Sequence, residues 1–275
     1  SVGPIQKFLS MIGGRVFPRI LLLCSGIWVS WIQSDEKDKE VIKKYLGQEY
    51  DLNREDYSIV ISNHVSWAEV VNSITIGVGF ISKDAMEKIP AIGFAIKATE
   101  GLFLNRESKD SREETLDLIK DRQSKFLNRE RTTPLFIYPE GTISMGKYLL
   151  PFKKGAFQAL YPVKPYIVQE RSDGPKVSMG NLPEYVHCLY YFCFLYNSFT
   201  IKELPTLAFT DKLKRKIKKE KELDHDVYAS TVNKIMTECG GKVQSNKCYK
   251  DSQKYFSELK SLCGGISTNE EKKSL

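Results

Sequence analysis

Short runs of β-branched and aromatic residues alternate along this chain with longer segments whose apolar positions recur at helical spacing. The runs predict strands at 57–62, 78–82, 101–104, 135–138 and 165–168. The periodic segments predict helices at 34–47, 67–76, 89–98, 111–128 and 155–161. Alternation of this kind is typical of an α/β fold, in which helices flank a mixed, largely parallel sheet. No Pro/Gly/Ser-rich linker divides the 275 residues, so we expect a single domain.

The first 33 residues follow a different pattern. Between Phe8 and Ile32 the only charges are those of Arg15 and Arg19, but the uninterrupted apolar stretch 20–32 is shorter than the ~20 residues of a membrane-spanning helix. We therefore predict a membrane-associated segment at 1–33, which lies in the membrane face or continues a longer anchor. A buried helix followed by a strand is the alternative interpretation.

The net charge indicates which partners to expect, and the cysteine spacing indicates whether to expect a metal site or disulfides. Lysine and arginine number 41 against 34 acidic residues, and the net charge of +7 favours an anionic partner such as phospholipid headgroups or the phosphates of a nucleotide-like molecule. The densest basic run, 212–219, lacks the interleaved aromatic side chains of a surface that stacks bases, so we do not expect nucleic acid. The six cysteines have neither C-x-x-C pairing nor a His/Cys metal-ligand spacing, so we predict no metal site and no disulfide framework.

Polar clusters directly follow several of the predicted strands. Asn63 and His64 follow the first strand, Asn105 and Arg106 follow the third, and residues 139–142 follow the fourth. In α/β sheets, chemistry gathers in the loops beyond the carboxyl ends of the strands, so these clusters predict one shared site. The sequence has no G-x-G-x-x-G loop, phosphate-loop motif or G-x-S-x-G nucleophile elbow.

His64 and Glu69 are candidate partners in acid–base chemistry. They lie five positions apart, and on one helix that spacing would turn them about 140° away from each other. His64 must therefore precede a helix that begins near Ser66 if the two side chains are to meet. The spacing from Ser66 to Glu69 also fits a capping box, in which the glutamate bonds back to the backbone of the capping residue. The residues alone leave both roles open for Glu69.

Four ordered blocks of the chain resemble the glycerophospholipid acyltransferase superfamily. They are NHVSWAE at 63–69, GLFLNR at 101–106, FIYPEGT at 136–142 and YPVKPYIV at 161–168. The segments 151–157, 226–236 and 249–251 are similar to the branch that acylates lysophosphatidylcholine and lysophosphatidylethanolamine. The resemblance therefore implies an acyltransferase domain at 34–240 and a C-terminal helical extension and tail at 241–275.

This resemblance implies a reaction and two catalytic residues. A fatty acyl group would pass from acyl-CoA to the free hydroxyl of a lysophospholipid, with lysophosphatidylcholine or lysophosphatidylethanolamine as the expected acceptor. His64 would be the base that takes the hydroxyl proton, and Glu69 would orient the imidazole. The superfamily usually has aspartate where this chain has Glu69, which is one methylene longer. Acyl-CoA would be a co-substrate, and no permanently bound cofactor is expected.

The resemblance also implies contacts for the substrates. Arg106 would hold the phosphate of the lysolipid, a role that suits the guanidinium fork. The other expected substrate-binding residues are Asn63, Gly101, Glu140, Gly141 and Thr142. Lys153 and Lys154 would neutralise phosphates of coenzyme A. Relatives that accept lysophosphatidic acid often have arginine after the threonine, whereas this chain has Ile143, which favours a phosphodiester substrate.

Location and rival functions complete the sequence-based hypothesis. Lys272 and Lys273, near the carboxyl terminus, resemble a dilysine retrieval signal and predict an endoplasmic reticulum membrane protein with its active site facing the cytosol. Three alternatives stay open: an acyltransferase acting on 1-acylglycerol-3-phosphate, a phospholipid transacylase with the same base, and a catalytically inactive lipid-binding protein.

Overall fold

The structure is a computed structural model that describes residues 16, 18–20, 22–83, 87–88, 93, 96–97, 99–104, 110–144, 146–172, 189, 193, 197–220, 223–247, 251, 254 and 257–258. The strands within these residues are β1 Ile27–Gln33, β2 Ile59–Ser62, β3 Gly79–Lys83, β4 Leu102–Leu104, β5 Leu135–Ile137, β6 Tyr148–Leu149, β7 Val163–Ser172, β8 Asn197–Glu203 and β9 Val243–Gln244. The helices are α1 Glu36–Leu46, α2 Trp67–Ile74, α3 Asp110–Leu127, α4 Asp211–Glu220 and α5 Asp224–Cys239, with a short 3₁₀ turn at Lys154–Ala156.

Within the described residues, seven strands form one mixed sheet in the order β1-β8-β7-β2-β5-β3-β4. β2, β3, β4, β5 and β7 are mutually parallel, β8 is antiparallel to β7, and β1 is parallel to β8. β6 and β9 pair separately. The expectation of a mixed, largely parallel sheet in an α/β domain is confirmed.

Both faces of the sheet are covered, because successive side chains of a strand point to opposite sides. Ile59 and Ile61 of β2 belong to one core, to which α1, α3, α4 and α5 contribute apolar side chains. Val60, between them, belongs to a second core with Leu22 and with Ala68 of α2. All three β2 side chains are fully buried, so the loop that follows β2 starts from a rigid base.

The apolar opening of the chain is only partly a helix. The described residues from Val16 to Cys24 are helical, and β1 follows as the edge strand of the sheet, paired with β8. In the described part, the order of helix and then strand is the one that the alternative interpretation expected. None of the described helices combines the length and the hydropathy needed to cross a bilayer.

The register places β1 at one particular edge of the sheet. Its last residue, Gln33, is level with Glu203 of β8, which is level with Tyr166 of β7 and so with Ser62, the last residue of β2. The rest of β1 continues away from that level, beyond the carboxyl end of β2. β1 and the helical residues before it therefore lie at the edge of the sheet that carries the His64 loop.

The predicted elements agree with the structure where their patterns are strong. The five predicted strands correspond to β2, β3, β4, β5 and β7, and the helices predicted at 34–47, 67–76 and 111–128 correspond to α1, α2 and α3. The helix predicted at 155–161 is wrong, because the chain there forms the single 3₁₀ turn Lys154–Ala156 and then leaves helical geometry. Most of the helix predicted at 89–98 lies outside the described residues.

Candidate active site

Asn63 closes the end of β2 against β7. Its amide oxygen accepts from the backbone N–H of Val168 at 2.7 Å, and its amide nitrogen donates to the Val168 carbonyl at 3.0 Å. The side chain is 1% exposed. Both ends of the amide bond to the backbone of Val168, so Asn63 fixes the start of the loop that carries His64. Its expected contact with the substrate stays a prediction.

His64 and Glu69 are in contact, as the sequence spacing predicts if the helix starts near Ser66. The helix α2 begins at Trp67 with Ser66 as its N-cap, and His64 lies in the loop before it. The Nδ1 atom of His64 is 2.5 Å from Oε1 of Glu69. Glu69 is 1% exposed and the His64 side chain is 17% exposed. A partly exposed imidazole is thus backed by a buried carboxylate.

Backbone donors hold the Glu69 carboxylate in place. The N–H of Val65 lies 2.7 Å and 2.9 Å from its two oxygens, and the N–H of Ser66 donates to Oε2 at 3.1 Å. The Ser66 hydroxyl in turn accepts from the N–H of Ala68 at 3.1 Å, and Ser66 forms a capping box with Glu69. The two roles left open for Glu69 are therefore not exclusive, because one carboxylate caps the helix and contacts the imidazole.

Burial controls the protonation of this pair. It lowers the pKa of His64 to about 4, a change that the negative charge of Glu140 partly opposes. Burial also raises the pKa of Glu69 well above its ordinary value, against the stabilising backbone N–H groups of Val65 and Ser66. His64 is therefore neutral at pH 7. The backbone N–H groups of Val65 and Ser66 favour the ionised form of Glu69. An imidazole that donates from Nδ1 to this carboxylate has its lone pair on Nε2, which is the arrangement required of a general base.

Tyr138 sets the plane of the imidazole. The two rings stack with centroids 4.0 Å apart and an interplanar angle of 15°. The hydroxyl of Tyr138 lies 3.5 Å from the Ser73 hydroxyl, which donates to the Glu69 carbonyl at 2.8 Å. Tyr138 was not predicted as a site residue, although it is the aromatic residue directly before Pro139 in the third block.

Glu140 supports the histidine from its backbone side. Its Oε1 accepts from the N–H of His64 at 3.0 Å, and its Oε2 accepts from the N–H of Leu150 at 3.0 Å. The side chain is 2% exposed, and burial raises its pKa to about 7. Both oxygens accept from the protein backbone, so Glu140 joins the loop after β2 to the segment that follows β6. Its expected contact with the substrate stays a prediction.

Gly141, Thr142 and the two lysines lie beside this arrangement. Gly141 has a φ of +68°, and a Cβ there would lie 2.2 Å from Nζ of Lys153, so the lysine side chain extends across the glycine. The N–H of Lys153 donates to the Pro139 carbonyl at 2.8 Å. Thr142 is partly exposed, and Lys154 is exposed at the start of the 3₁₀ turn. Arg106 and Asn105 lie outside the described residues.

Gly101 is distant from His64. It precedes β4, which is separated from β2 by β3 and β5, or about 14 Å across the sheet at ~4.8 Å per strand. A Cβ at this position would lie 2.6 Å from the Phe80 carbonyl oxygen and 2.7 Å from Cγ2 of Ile96. Close packing explains the lack of a side chain at Gly101, and the expected substrate contact stays a prediction.

A buried strand that leads into a loop histidine, backed by a carboxylate on the next helix, defines an α/β protein equipped for general-base chemistry. Residues 39–169 match the family model described as Acyltransferase, and this segment therefore belongs to the acyltransferase family. That family assignment confirms the resemblance found in the four sequence blocks.

The chain is similar, at low identity, to curated lysophospholipid acyltransferases. A lysophospholipid acyltransferase of Arabidopsis thaliana is 25% identical over 259 residues, covering 90% of this chain and 63% of the relative. A second one from the same plant is 28% identical over 67% of this chain and 34% of its own length. Human lysophosphatidylcholine acyltransferase 1 is 24% identical over 73% of this chain and 36% of its own length. The chain thus spans between about a third and somewhat under two thirds of these relatives.

A solved structure supports the fold. The crystal structure of a 1-acyl-sn-glycerophosphate acyltransferase from Thermotoga maritima superposes with a TM-score of 0.51, covering 87% of this chain and 83% of that one at 18% identity. This likeness concerns the arrangement of strands and helices.

Replacing Gly101 tests its role in packing. We expect Gly101→Ala to lower the free energy of unfolding by roughly 1–3 kcal/mol, because the added methyl overlaps backbone and side-chain atoms. Gly155→Ala is the matched control, since a Cβ there meets Ile119 and Leu116 at an ordinary 3.8 Å. Urea unfolding of both variants measures the difference. Equal stabilities would contradict the packing role of Gly101.

Replacing Ser66 separates the cap from the histidine pair. Ser66→Ala removes the hydroxyl that accepts from Ala68, and we expect a loss of about 1 kcal/mol in stability. The backbone N–H of residue 66 still donates to Glu69, so the imidazole of His64 should titrate as in the wild type. Thermal unfolding and an NMR titration of His64 measure the two effects. A shifted His64 pKa would show that the cap and the pair are not separable.

Proposed function

We propose that this protein transfers a fatty acyl group from acyl-CoA to the free hydroxyl of a lysophospholipid, with lysophosphatidylcholine or lysophosphatidylethanolamine as the acceptor. The observation that carries the proposal is the neutral imidazole of His64, held at 2.5 Å from the buried carboxylate of Glu69 beyond the carboxyl end of β2. The names of the relatives support this class of acceptor, and the family of the segment 39–169 supports acyl transfer.

The mechanism follows from the protonation state of the pair. Nε2 of His64 accepts the proton of the lysolipid hydroxyl while the oxygen attacks the carbonyl carbon of the thioester. The tetrahedral intermediate then collapses, the carbon–sulfur bond breaks, and the imidazolium returns its proton to the departing thiolate of coenzyme A. Glu69 stabilises the imidazolium that exists between these steps. A positioned base of this kind contributes roughly 10² to 10⁴ in rate, and no covalent acyl-enzyme is needed.

Positive charge beside the site supports binding of the anionic substrates. Lys153 extends across Gly141, one residue beyond the glutamate that holds the His64 backbone, and Lys154 is exposed next to it. We assign these two lysines to phosphates of coenzyme A, Thr142 and Gly141 to the lysolipid, and Arg106 to the lysolipid phosphate. Ile143 places an apolar side chain after the threonine, which favours a phosphodiester over a phosphomonoester acceptor.

Exposed apolar side chains at the same edge of the sheet as His64 form what we call the apolar surface. Val16, Ile20 and Leu23 belong to the helical residues before β1, Trp28 and Ile32 lie on one side of β1, and Trp31 lies on its other side. Tryptophan is favoured at the boundary between headgroups and acyl chains. We propose that this surface rests on a membrane, that of the endoplasmic reticulum on its cytosolic side, so that the lysolipid hydroxyl reaches His64 while its acyl chain stays in the bilayer.

A turnover assay tests the chemistry. Purified protein with acyl-CoA and a panel of lysophospholipids is expected to acylate the choline or ethanolamine lysolipids, and His64→Gln is expected to lower kcat by at least about 10². His225→Gln, at a histidine on α5, is the matched control and should keep wild-type activity. Full activity in His64→Gln would overturn the mechanism.

The same assay separates the rival functions. Turnover with phospholipid as the sole acyl donor, and none with acyl-CoA, would identify a transacylase. A preference for 1-acylglycerol-3-phosphate would favour the phosphomonoester alternative. Absence of turnover with every donor and acceptor, in folded protein, would favour a lipid-binding protein.

Vesicle binding tests the proposed membrane surface. Trp28 and Ile32 project from the same side of β1 and are 54% and 42% exposed. We expect the double variant Trp28→Ser/Ile32→Ser to lower the partition coefficient onto phosphatidylcholine vesicles about tenfold, since it removes roughly 1–2 kcal/mol of apolar burial. Leu223→Ser is the control, because Leu223 is 63% exposed at the start of α5. Equal losses in both variants would contradict a specific surface.

A further inference from the structure

The loop that carries His64 is held from two sides. On one side Asn63 bonds to the backbone of Val168 in β7. On the other side the carbonyl of His64 accepts from the N–H of Ser144 at 2.8 Å, and Gly146 lies against Val65 so closely that a Cβ there would be 3.1 Å from Cγ1 of the valine. The position of the imidazole therefore depends on how these two flanking segments are fixed relative to each other.

Lys242 connects the two flanking segments. Its Nζ donates to the Gly146 carbonyl at 2.6 Å and to the Val168 carbonyl at 3.1 Å. The second of these oxygens is the one that also accepts from the Asn63 amide. Lys242 lies beyond the residues 39–169 that match the family, just after α5. Its N–H donates to the Thr237 carbonyl at 2.9 Å, and Gly241, at a φ of +57°, makes the turn that directs the chain back to the site.

The positive charge of Lys242 acts on Glu69, the carboxylate that contacts the His64 imidazole. The positive ammonium lowers the pKa of Glu69, in opposition to burial and to the negative charge of Glu170. The other titratable groups that influence the pair are Tyr138, which stacks on His64, and Glu140, which bonds to its backbone. Among these groups Lys242 is the cation, so it offsets part of the cost of keeping carboxylates ionised in a buried site.

We propose that Lys242 is a positioning residue of the acyl transfer reaction: it ties the Gly146 and Val168 segments around the His64 loop and supplies the positive charge that keeps Glu69 ionised beneath the imidazole. This inference rests on the proposed function of His64 as the base. Without the ammonium, Glu69 takes up a proton more readily. Nδ1 of His64 then accepts a hydrogen bond from the protonated carboxyl group of Glu69. Nε2 carries the imidazole hydrogen and no longer offers a lone pair.

Three variants test the proposal in the full-length protein. Lys242→Met keeps an unbranched chain but removes the donors and the charge, and Lys242→Arg keeps both. Lys247→Met is the control, because Lys247 is an exposed lysine five positions further along the chain. We expect kcat at pH 7 to fall about tenfold in Lys242→Met with KM within about twofold. Lys242→Arg should retain most of the activity, and Lys247→Met should behave as the wild type.

The pH profile distinguishes positioning from a general loss of stability. Removing a positive charge raises the pKa of nearby groups, so the acid limb of kcat should move to higher pH in Lys242→Met and stay in place in the control. An unchanged limb together with wild-type kcat would overturn the proposal. A lower thermal midpoint with an unchanged limb and kcat would assign Lys242 a structural role, which also overturns it. Should Lys242→Met fail to fold, Lys242→Gln carries the same expectations.

An NMR titration makes the test independent of turnover. The signal of His64 is identified by its loss in His64→Gln, and the transition in which the His64–Glu69 pair takes up a proton should lie at higher pH in Lys242→Met than in the wild type. If no donor and acceptor support turnover in the wild type, the proposed function fails, while this titration still decides whether Lys242 acts on His64. A transition at the same pH in both proteins would overturn the inference.

Discussion

The contact between the His64 imidazole and the Glu69 carboxylate is the constraint on which the rest of the site depends. A carboxylate that is 1% exposed is costly to bury unless its oxygens accept hydrogen bonds. The nearest donors are the backbone N–H groups of Val65 and Ser66. They can reach Glu69 when the chain turns directly before α2, and that turn also brings His64 into contact. The conformation of the loop and the pairing of the two side chains thus have one cause.

The order of the strands explains why so many segments meet at this loop. β2 lies between β5 and β7 in the sheet, and all three are parallel, so their carboxyl ends share one edge. Glu140 reaches the His64 backbone from the segment after β5, and Val168 bonds to Asn63 because β7 continues past the end of β2. β8 pairs with the part of β7 that lies beyond the end of β2, and the edge strand β1 pairs with β8. The same arrangement brings exposed apolar side chains to the edge that carries His64.

Local patterns predicted the parts of the site that lie close together in sequence. The spacing of His64 and Glu69 and the cap at Ser66 required one loop and one helix start, and both are present. Contacts between distant segments carry no such local signal. Asn63 and Gly101 were expected to bind substrate because they stand in family blocks, yet their partners, Val168 and Ile96, are fixed by the packing of strands and helices. Lys242 was missed for the same reason, since it approaches the site from the end of α5. β1 was read as part of an apolar segment because its pairing with β8 joins residues about 170 positions apart.

The glutamate at position 69 has a structural counterpart within the same chain. At the start of α1, Asp35 and Asp38 form a capping box of the same type, with the N–H of Asp35 donating to Asp38 at 3.0 Å. The shorter aspartate reaches its capping residue, so the cap alone does not require the extra methylene of Glu69. The longer side chain uses its reach to contact Val65 and His64 as well.

The two capping boxes differ in the second partner of the carboxylate, which is a lysine for Asp38 and a histidine for Glu69. Asp38 is paired with Lys202, whose Nζ lies 3.0 Å away, so its second partner is the ammonium group of a lysine. Glu69 is paired with an imidazole that burial keeps neutral. Its negative charge is balanced more completely when His64 takes up a proton, and a substrate hydroxyl is the proposed source of that proton. A capping box becomes part of a general base when the partner of its carboxylate is a group that can still be protonated.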